Sequence, residues 1–185
     1  MDREDAPAAQ SLSRDFETAV ASTERMELRI WLRLLTCTNL IERGVRQKLR
    51  ESFGITLPRF DLLAQLDRAP EGLTMGELSR RLMVSNGNVT GLIDRLVAEG
   101  LVARRPAPDD RRAQLVQLTP TGKKAFDGMT PAHQSWIHEM LGELDRNELA
   151  ALYAGLGRLK ESLASYGTGQ RAALSAAKKD GKGKK

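Results

Sequence analysis

The side chains best equipped for chemistry in this 185-residue chain are arginines set around a turn and an amide on a glycine-bearing segment. Arg104, Arg105, Arg111 and Arg112 flank a stretch containing Pro106, Pro108, Asp109 and Asp110, and upstream lie Asn88, Thr90, Gly91 and Arg95. A guanidinium forks onto phosphate oxygens, and Asn and Arg side chains match the hydrogen-bonding edges of bases. The chemistry offered is recognition of a polyanion. Catalysis finds no comparable set. His138 and Glu139 begin like a zinc-protease motif, but Gly142 stands where the second histidine is required. Gly155 and Gly157 follow no strand, and Asp109 and Asp110 sit in a turn, so no enzyme, cofactor or metal site is expected. His133 and His138, with Trp136 between them, could line a ligand pocket, but two histidines are too few to hold a metal alone. Cys37 has no second cysteine to pair with, and it falls in the apolar stripe Ile30, Leu34, Cys37, Ile41, so it is expected to be a buried packing residue.

The charge balance says where a polyanion would bind. The chain has 29 Lys and Arg against 24 Asp and Glu, a formal +5. Residues 171–185 hold six basic residues and one acid, so the whole excess lies there and the first 170 residues are neutral in sum. Within them, 74–124 carries nine basic and five acidic residues, and 125–170 three basic and six acidic. A polyanion that binds the folded part of the chain is therefore expected on this middle segment. The polar N-terminus resembles neither a secretory signal nor a membrane span, which makes the cytoplasm the expected location.

These residues need elements to position them. Apolar residues recur every three or four positions over 18–52, predicting a long helix that ends near Gly54. A second helix opens at Pro58 and runs to the turn at 69–72. Thr74 and Glu77 have the spacing of a capping box, so a short helix starts there. Ser85 caps another, with Val89, Leu92, Ile93 and Leu96 inward and Gly100 as its stop. Two short helices so tightly joined predict a helix-turn-helix. Segments 101–105 and 114–118 have strand character and flank the Pro/Asp turn, predicting a charged hairpin. Thr119 and Pro120 cap a further helix, with a kink or fresh start at 128–131, and Asp145 with Glu148 opens the last.

On the fourth helix, successive steps of 100° put Gly87, Gly91, Asp94, Arg95 and Ala98 opposite the apolar face, flanked by Asn88 and Thr90. Asn88 suits adenine and Arg95 suits guanine or phosphate. The alternatives are that Asn88 helps to cap the helix and that Arg95 pairs with a nearby acid.

The run LTMGELSRRLMVSNGNVTGLIDRLVAEGLVARRPAPDDRRAQLVQLTPTG (73–122) resembles the MarR family of bacterial transcription regulators, most specifically at TGLIDRL, at GLV and at the DRR followed by LT. The resemblance implies a mainly α fold with a small β-hairpin wing, a winged helix-turn-helix flanked by N- and C-terminal dimerisation helices. It implies a homodimeric repressor that binds a pseudo-palindromic operator in double-stranded DNA and is released by a small-molecule effector, without contact to a membrane. In that frame Ser85, Asn86, Gly87, Asn88, Thr90, Gly91 and Arg95 face DNA from the helix. From the wing come Arg112 for the minor groove, Asp110 to orient arginines, and Arg104 and Arg111 for phosphate. Residues 1–17 are expected to be a flexible arm, 18–56 and 120–166 the dimerisation helices, 57–119 the DNA-binding domain and 167–185 a disordered basic tail.

Residues 34–43 and 57–63 are similar to a subset of the family that answers to aromatic acids or their acyl-CoA thioesters. Met26, Trp31 and Trp136 are the candidate walls of an effector slot, and Arg29, Arg33, Arg43 and Arg46 its candidate anion holders. Two rival functions remain open: a redox- or metal-responsive regulator on the same frame, and a non-specific DNA-coating protein that uses its basic tail.

Overall fold

The computed structural model describes residues 26–83, 86–107 and 114–180, with side chains to 167 apart from that of Asn86. It contains α1 (Met26–Phe53), α2 (Leu57–Asp67), β1 (Leu73–Thr74), α3 (Met75–Leu82), α4 (Asn86–Ala98), β2 (Val102–Pro106), β3 (Gln114–Leu118), α5 (Pro120–Met140) and α6 (Arg146–Asp180). They fall into two compact units, divided after Glu139.

In the first unit each helix begins and ends by a local device. Pro58 occupies the first turn of α2, where its missing N–H costs nothing. At α3 the expected capping box is present: the Glu77 backbone N–H donates to the Thr74 hydroxyl (3.3 Å), and the Thr74 backbone N–H donates to the Glu77 carboxylate (2.8 Å). Those Thr74 donors hold the Glu77 carboxyl below its ordinary pKa. Gly100, at φ +71°, closes α4. Its N–H donates to the Val97 carbonyl (2.9 Å) while the Leu101 N–H reaches back to Leu96 (2.9 Å), a Schellman ending that the left-handed glycine permits.

The sheet has three antiparallel strands in the order β1-β3-β2. The hairpin pairs Val102 with Leu118 and Pro106 with Gln114, and β1 adds Leu73 opposite Val116. The sequence reading expected the hairpin alone. Strand β1 is two residues long, and its first neighbour, Gly72, takes φ +93° against the Val116 carbonyl, where a Cβ would lie 3.0 Å from that oxygen.

The core is built from one face of each element. Leu49, Leu62, Leu63, Leu66, Leu78, Val89, Ile93, Leu96, Val102 and Val116 are fully buried, each contributing on the order of 1.5–3 kcal/mol of apolar transfer. Phe60 of α2 packs on Phe126 (ring centroids 5.4 Å) and on His133 (4.7 Å) of α5. Helix α5 starts from a knot at Thr119, whose hydroxyl lies 2.7 Å from the Gly100 carbonyl and accepts the Gly122 N–H (2.9 Å). No fresh start occurs at 128–131, and the helix runs through Pro131. The Thr130 hydroxyl bonds the Phe126 carbonyl (3.0 Å), and the buried Phe126, Met129 and Trp136 secure both sides of the proline.

Only the C-terminal part of α1 is buried, through Val45 and Leu49. Cys37 is exposed, which corrects the expectation of a buried thiol. Its apolar stripe lies on a stretch whose Met26, Ile30 and Leu40 are also open to solvent. An apolar period marks a sticky face, and it does not say that this chain covers it.

In the second unit, Asp145 accepts the Asn147 and Glu148 N–H groups (2.6 and 2.9 Å) and its own N–H donates to the Glu148 carboxylate (2.8 Å), the cap expected there. Helix α6 continues to Asp180 in place of the tail expected from 167. The segment after Gln170 is rich in alanine, the strongest helix former, which offsets its charge and lack of apolar period. Leu149, Leu152, Leu156, Leu159, Leu163 and Tyr166 recur at alternating spacings of three and four, and none is buried. No described helix is long and apolar enough to cross a membrane.

Candidate nucleic-acid interface

Helix α4 sorts its residues as the 100° period requires. Val89, Ile93 and Leu96 are fully buried and Leu92 half-buried, so the helix is seated on the core by one side. Gly87, Asn88, Thr90, Gly91, Asp94, Arg95 and Ala98 are all exposed on the other. A Cβ at Gly87 or Gly91 would meet nothing within 4 Å. Gly91 therefore weakens the helix by about 1 kcal/mol relative to alanine with no packing partner in the described chain to require it. A smooth strip of backbone flanked by an amide and a guanidinium is shaped for close approach by an outside partner.

The wing is tied to this face by charge. Arg104 on β2 donates to the Asp94 carboxylate on α4 at 2.5 Å. Asp94 thus orients an arginine of the hairpin, the task that the resemblance gave to Asp110. The pair is partly exposed and adds little stability, so its chief effect is to aim the guanidinium. Arg105 is exposed on the same strand. Arg95 is exposed and makes no salt bridge to a described residue, which leaves it open to an external acceptor. Ser85, Asp110, Arg111 and Arg112 lie outside the described residues, and Asn86 is described in its backbone alone.

Two basic residues escaped the sequence reading. Arg80 and Arg81 close α3 and are exposed next to the inter-helix turn, where Met83 takes a left-handed φ of 54°. Their signal was available: two adjacent arginines in the last turn of the first helix of a helix-turn-helix.

The expected effector residues do not form one slot. Met26, Trp31 and Arg33 are exposed and Arg29 half-exposed near the start of α1, and Arg43 and Arg46 are exposed further along it, where Arg46 pairs with Glu42 (3.2 Å). Trp136 is buried and packs at a tilt against Phe53 (centroids 6.0 Å), with the Lys48 ammonium 5.8 Å from its ring. Phe53 follows Trp31 by 22 positions on α1, about 33 Å along the axis. Trp31 and Trp136 of one chain therefore cannot wall the same small molecule, and the spacing of tryptophans in sequence carried no information about this separation. His133 is engaged with Phe60, and burial lowers its pKa.

A helix-turn-helix followed by a two-stranded wing, with the second helix presenting a polar, small-residue face, defines a winged helix-turn-helix DNA-binding protein. The MarR family profile matches residues 53–113. The transcriptional activatory protein BadR of Rhodopseudomonas palustris is 34% identical over 134 residues, which cover 70% of this chain and 76% of that protein. The regulator PecS of Dickeya dadantii is 30% identical over 126 residues, 67% of this chain and 75% of PecS. Among solved structures, a MarR family transcriptional regulator from Silicibacter pomeroyi superposes with a TM-score of 0.64 at 33% identity, covering 74% of this chain and 94% of that one. A mutant MarR from E. coli complexed with operator DNA gives 0.62 at 30% identity, covering 72% and 95%. The chain belongs to the MarR family: it is a DNA-binding transcriptional regulator and not an enzyme.

Proposed function

We propose that this regulator is a homodimeric repressor that places two copies of α4 in successive major grooves of a pseudo-palindromic operator and leaves it when a small effector binds. The observation that carries the DNA-reading part is the outward face of α4, where Asn88 and Arg95 flank a glycine that nothing in the described chain requires. Asn88 reads adenine and Arg95 reads guanine or grips phosphate. Arg104 and Arg111 contact phosphate, and Arg112 enters the minor groove, where narrow A·T-rich segments concentrate negative potential.

The dimer is supported by two exposed apolar surfaces, one on α6 and one on α1. The three-four spacing of leucines from Leu149 to Leu163 is the pattern of helices that pair, and Leu152, Leu156 and Leu163 in it are 41–61% exposed. On α1, Met26, Ile30 and Trp31 are 48–61% exposed. Apolar area of this extent on a regulator calls for a partner surface, and a second copy offers the same one. For the effector we retain the class that residues 34–43 and 57–63 resemble, an aromatic acid or its acyl-CoA thioester. The experiment is selection of operator from random DNA followed by titration with such compounds at fixed salt. Release of a two-half-site operator from a dimer is expected, and full-affinity binding of one half-site by a monomer would refute the proposal.

A further inference from the structure

We propose that the turn between α3 and α4 makes a second DNA contact, in which Met83 packs against the deoxyribose–phosphate backbone flanking the groove that α4 enters. The assignment rests on the reading of α4 as the groove-entering helix. Met83 is 93% exposed, more than any other large apolar residue of the described chain. A single exposed apolar side chain is ordinary on a protein surface. The backbone that carries this one is not.

Met83 caps α3 at φ 54° and ψ 35°, its N–H donating to the Ser79 carbonyl. Among the described residues it is the only non-glycine with a positive φ. The left-handed conformation crowds a Cβ against the backbone, and glycine or asparagine adopts it at lower cost. Gly54, Gly72 and Gly100 take the positive φ values elsewhere in the described chain. At this helix ending the fold alone would be better served by glycine, and a side chain so exposed has almost no contact within the described chain to offset the strain. A surface outside the chain is what gives the methionine a role there.

The neighbours of Met83 identify that surface as DNA. Arg80 and Arg81 are exposed on the last turn of α3, and the Arg80 Nε donates to the Gly76 carbonyl of its own helix (3.3 Å), which holds its stem along α3. The acid nearest to them in sequence, Glu77, is turned back to the Thr74 N–H (2.8 Å). Two guanidiniums beside one thioether match a sugar–phosphate strand, on which phosphate anions alternate with the apolar C–H faces of the sugars. The exposed face of α4 opens at Gly87 and Asn88, four and five residues further on, so the turn stands at the entry of the reading helix. A backbone contact there carries no sequence information: it positions α4 and adds affinity to every duplex alike.

The test is fluorescence anisotropy of the full chain on an operator selected by the unmodified protein and on a scrambled duplex, each at several salt concentrations. Met83→Gly is expected to raise Tm by about 2–4 °C through relief of strain, yet to weaken binding to both duplexes about tenfold. Met83→Asn, which also suits the left-handed region but is polar, is expected to lose the same affinity. In both variants the slope of log K against log salt should stay unchanged, because no charge is lost. Met83→Leu, apolar and of similar volume, is expected to keep the parent affinity. Replacing Arg80 and Arg81 together by glutamine is expected to reduce the slope by about 0.9 for each phosphate contact removed. Full affinity in Met83→Gly, an equal loss in Met83→Leu, a loss confined to the operator, a fall in Tm in Met83→Gly, or an unchanged slope in the double arginine variant would each overturn the proposal. Asn88→Ala separates this contact from the reading on which it rests, since its loss is expected on the operator alone. If Asn88→Ala behaves so while Met83→Gly binds in full, the turn contact fails and the reading by α4 stands; if neither variant loses affinity, both fail.

Discussion

Replacing Gly91 by alanine should strengthen the fold and weaken the function. The glycine is interior to α4, and the added methyl would meet no atom within 4 Å. With no clash to offset it, the gain is the intrinsic helix preference, about 0.8–1.0 kcal/mol. For a chain of this size that raises Tm by about 2–4 °C, measured at one fixed protein concentration because subunit association shifts the midpoint. Operator binding should move the other way. If the backbone at 91 lies against the groove, the methyl overpacks that contact at about 1–3 kcal/mol, roughly five- to 150-fold in Kd per copy. Calorimetry and fluorescence anisotropy on a labelled operator check both halves on one preparation. A variant that gained stability and kept full operator affinity would refute the close-approach argument, and one that lost stability would refute the open space around the glycine.

Gly122→Ala makes the opposite case: its Cβ would lie 1.8 Å from the Leu101 carbonyl oxygen, which only a backbone shift can relieve. The variant should lose about 2 kcal/mol in urea titration once the helix gain is subtracted, and an unchanged midpoint would contradict the knot at Thr119. Burial holds the His133 pKa below its ordinary value, so the unfolded chain binds the proton more readily. Stability from this group is full above the unfolded pKa of about 6.5 and falls as pH drops through that value toward the folded one, so His133→Gln should flatten the decline in urea midpoint between pH 7.5 and 5.5. Equal declines in both proteins would show that His133 is not the titrating group. Asn88→Ala should relax preference at one major-groove position by about 1–3 kcal/mol, whereas Arg112→Ala should weaken binding most on operators with A·T-rich flanks; uniform losses on every sequence would remove both assigned roles.

Much of the DNA-binding unit was legible because its signals are local. The Thr74–Glu77 box, the Gly100 ending and the four-then-three spacing of Val89, Ile93 and Leu96 each lie within one or two turns of chain. What sequence concealed depends on partners far away in it. Strand β1 looks like a cap until Val116 pairs with Leu73. Helix α5 survives Pro131 because Phe126 and Trp136 are buried on either side of it. The Arg59–Glu99 ion pair joins residues 40 positions apart, and neither has a motif around it. For Cys37 and the two tryptophans, apolar character was correctly noted but said nothing about which surface each would meet. The three-four spacing of leucines from Leu149 to Leu163 is legible in the sequence, but the surface it meets is not.

The central claim is that α4 enters two major grooves of one operator, and directed cleavage reads this most directly. Asn88→Cys in a Cys37→Ser background, carrying an iron chelate on its single thiol, is bound to an operator selected by the unmodified protein. Cleavage is expected in two major-groove patches about 34 Å apart, centre to centre, symmetric about the operator dyad. Cleavage in one patch alone, or spread evenly along the duplex, would contradict the account.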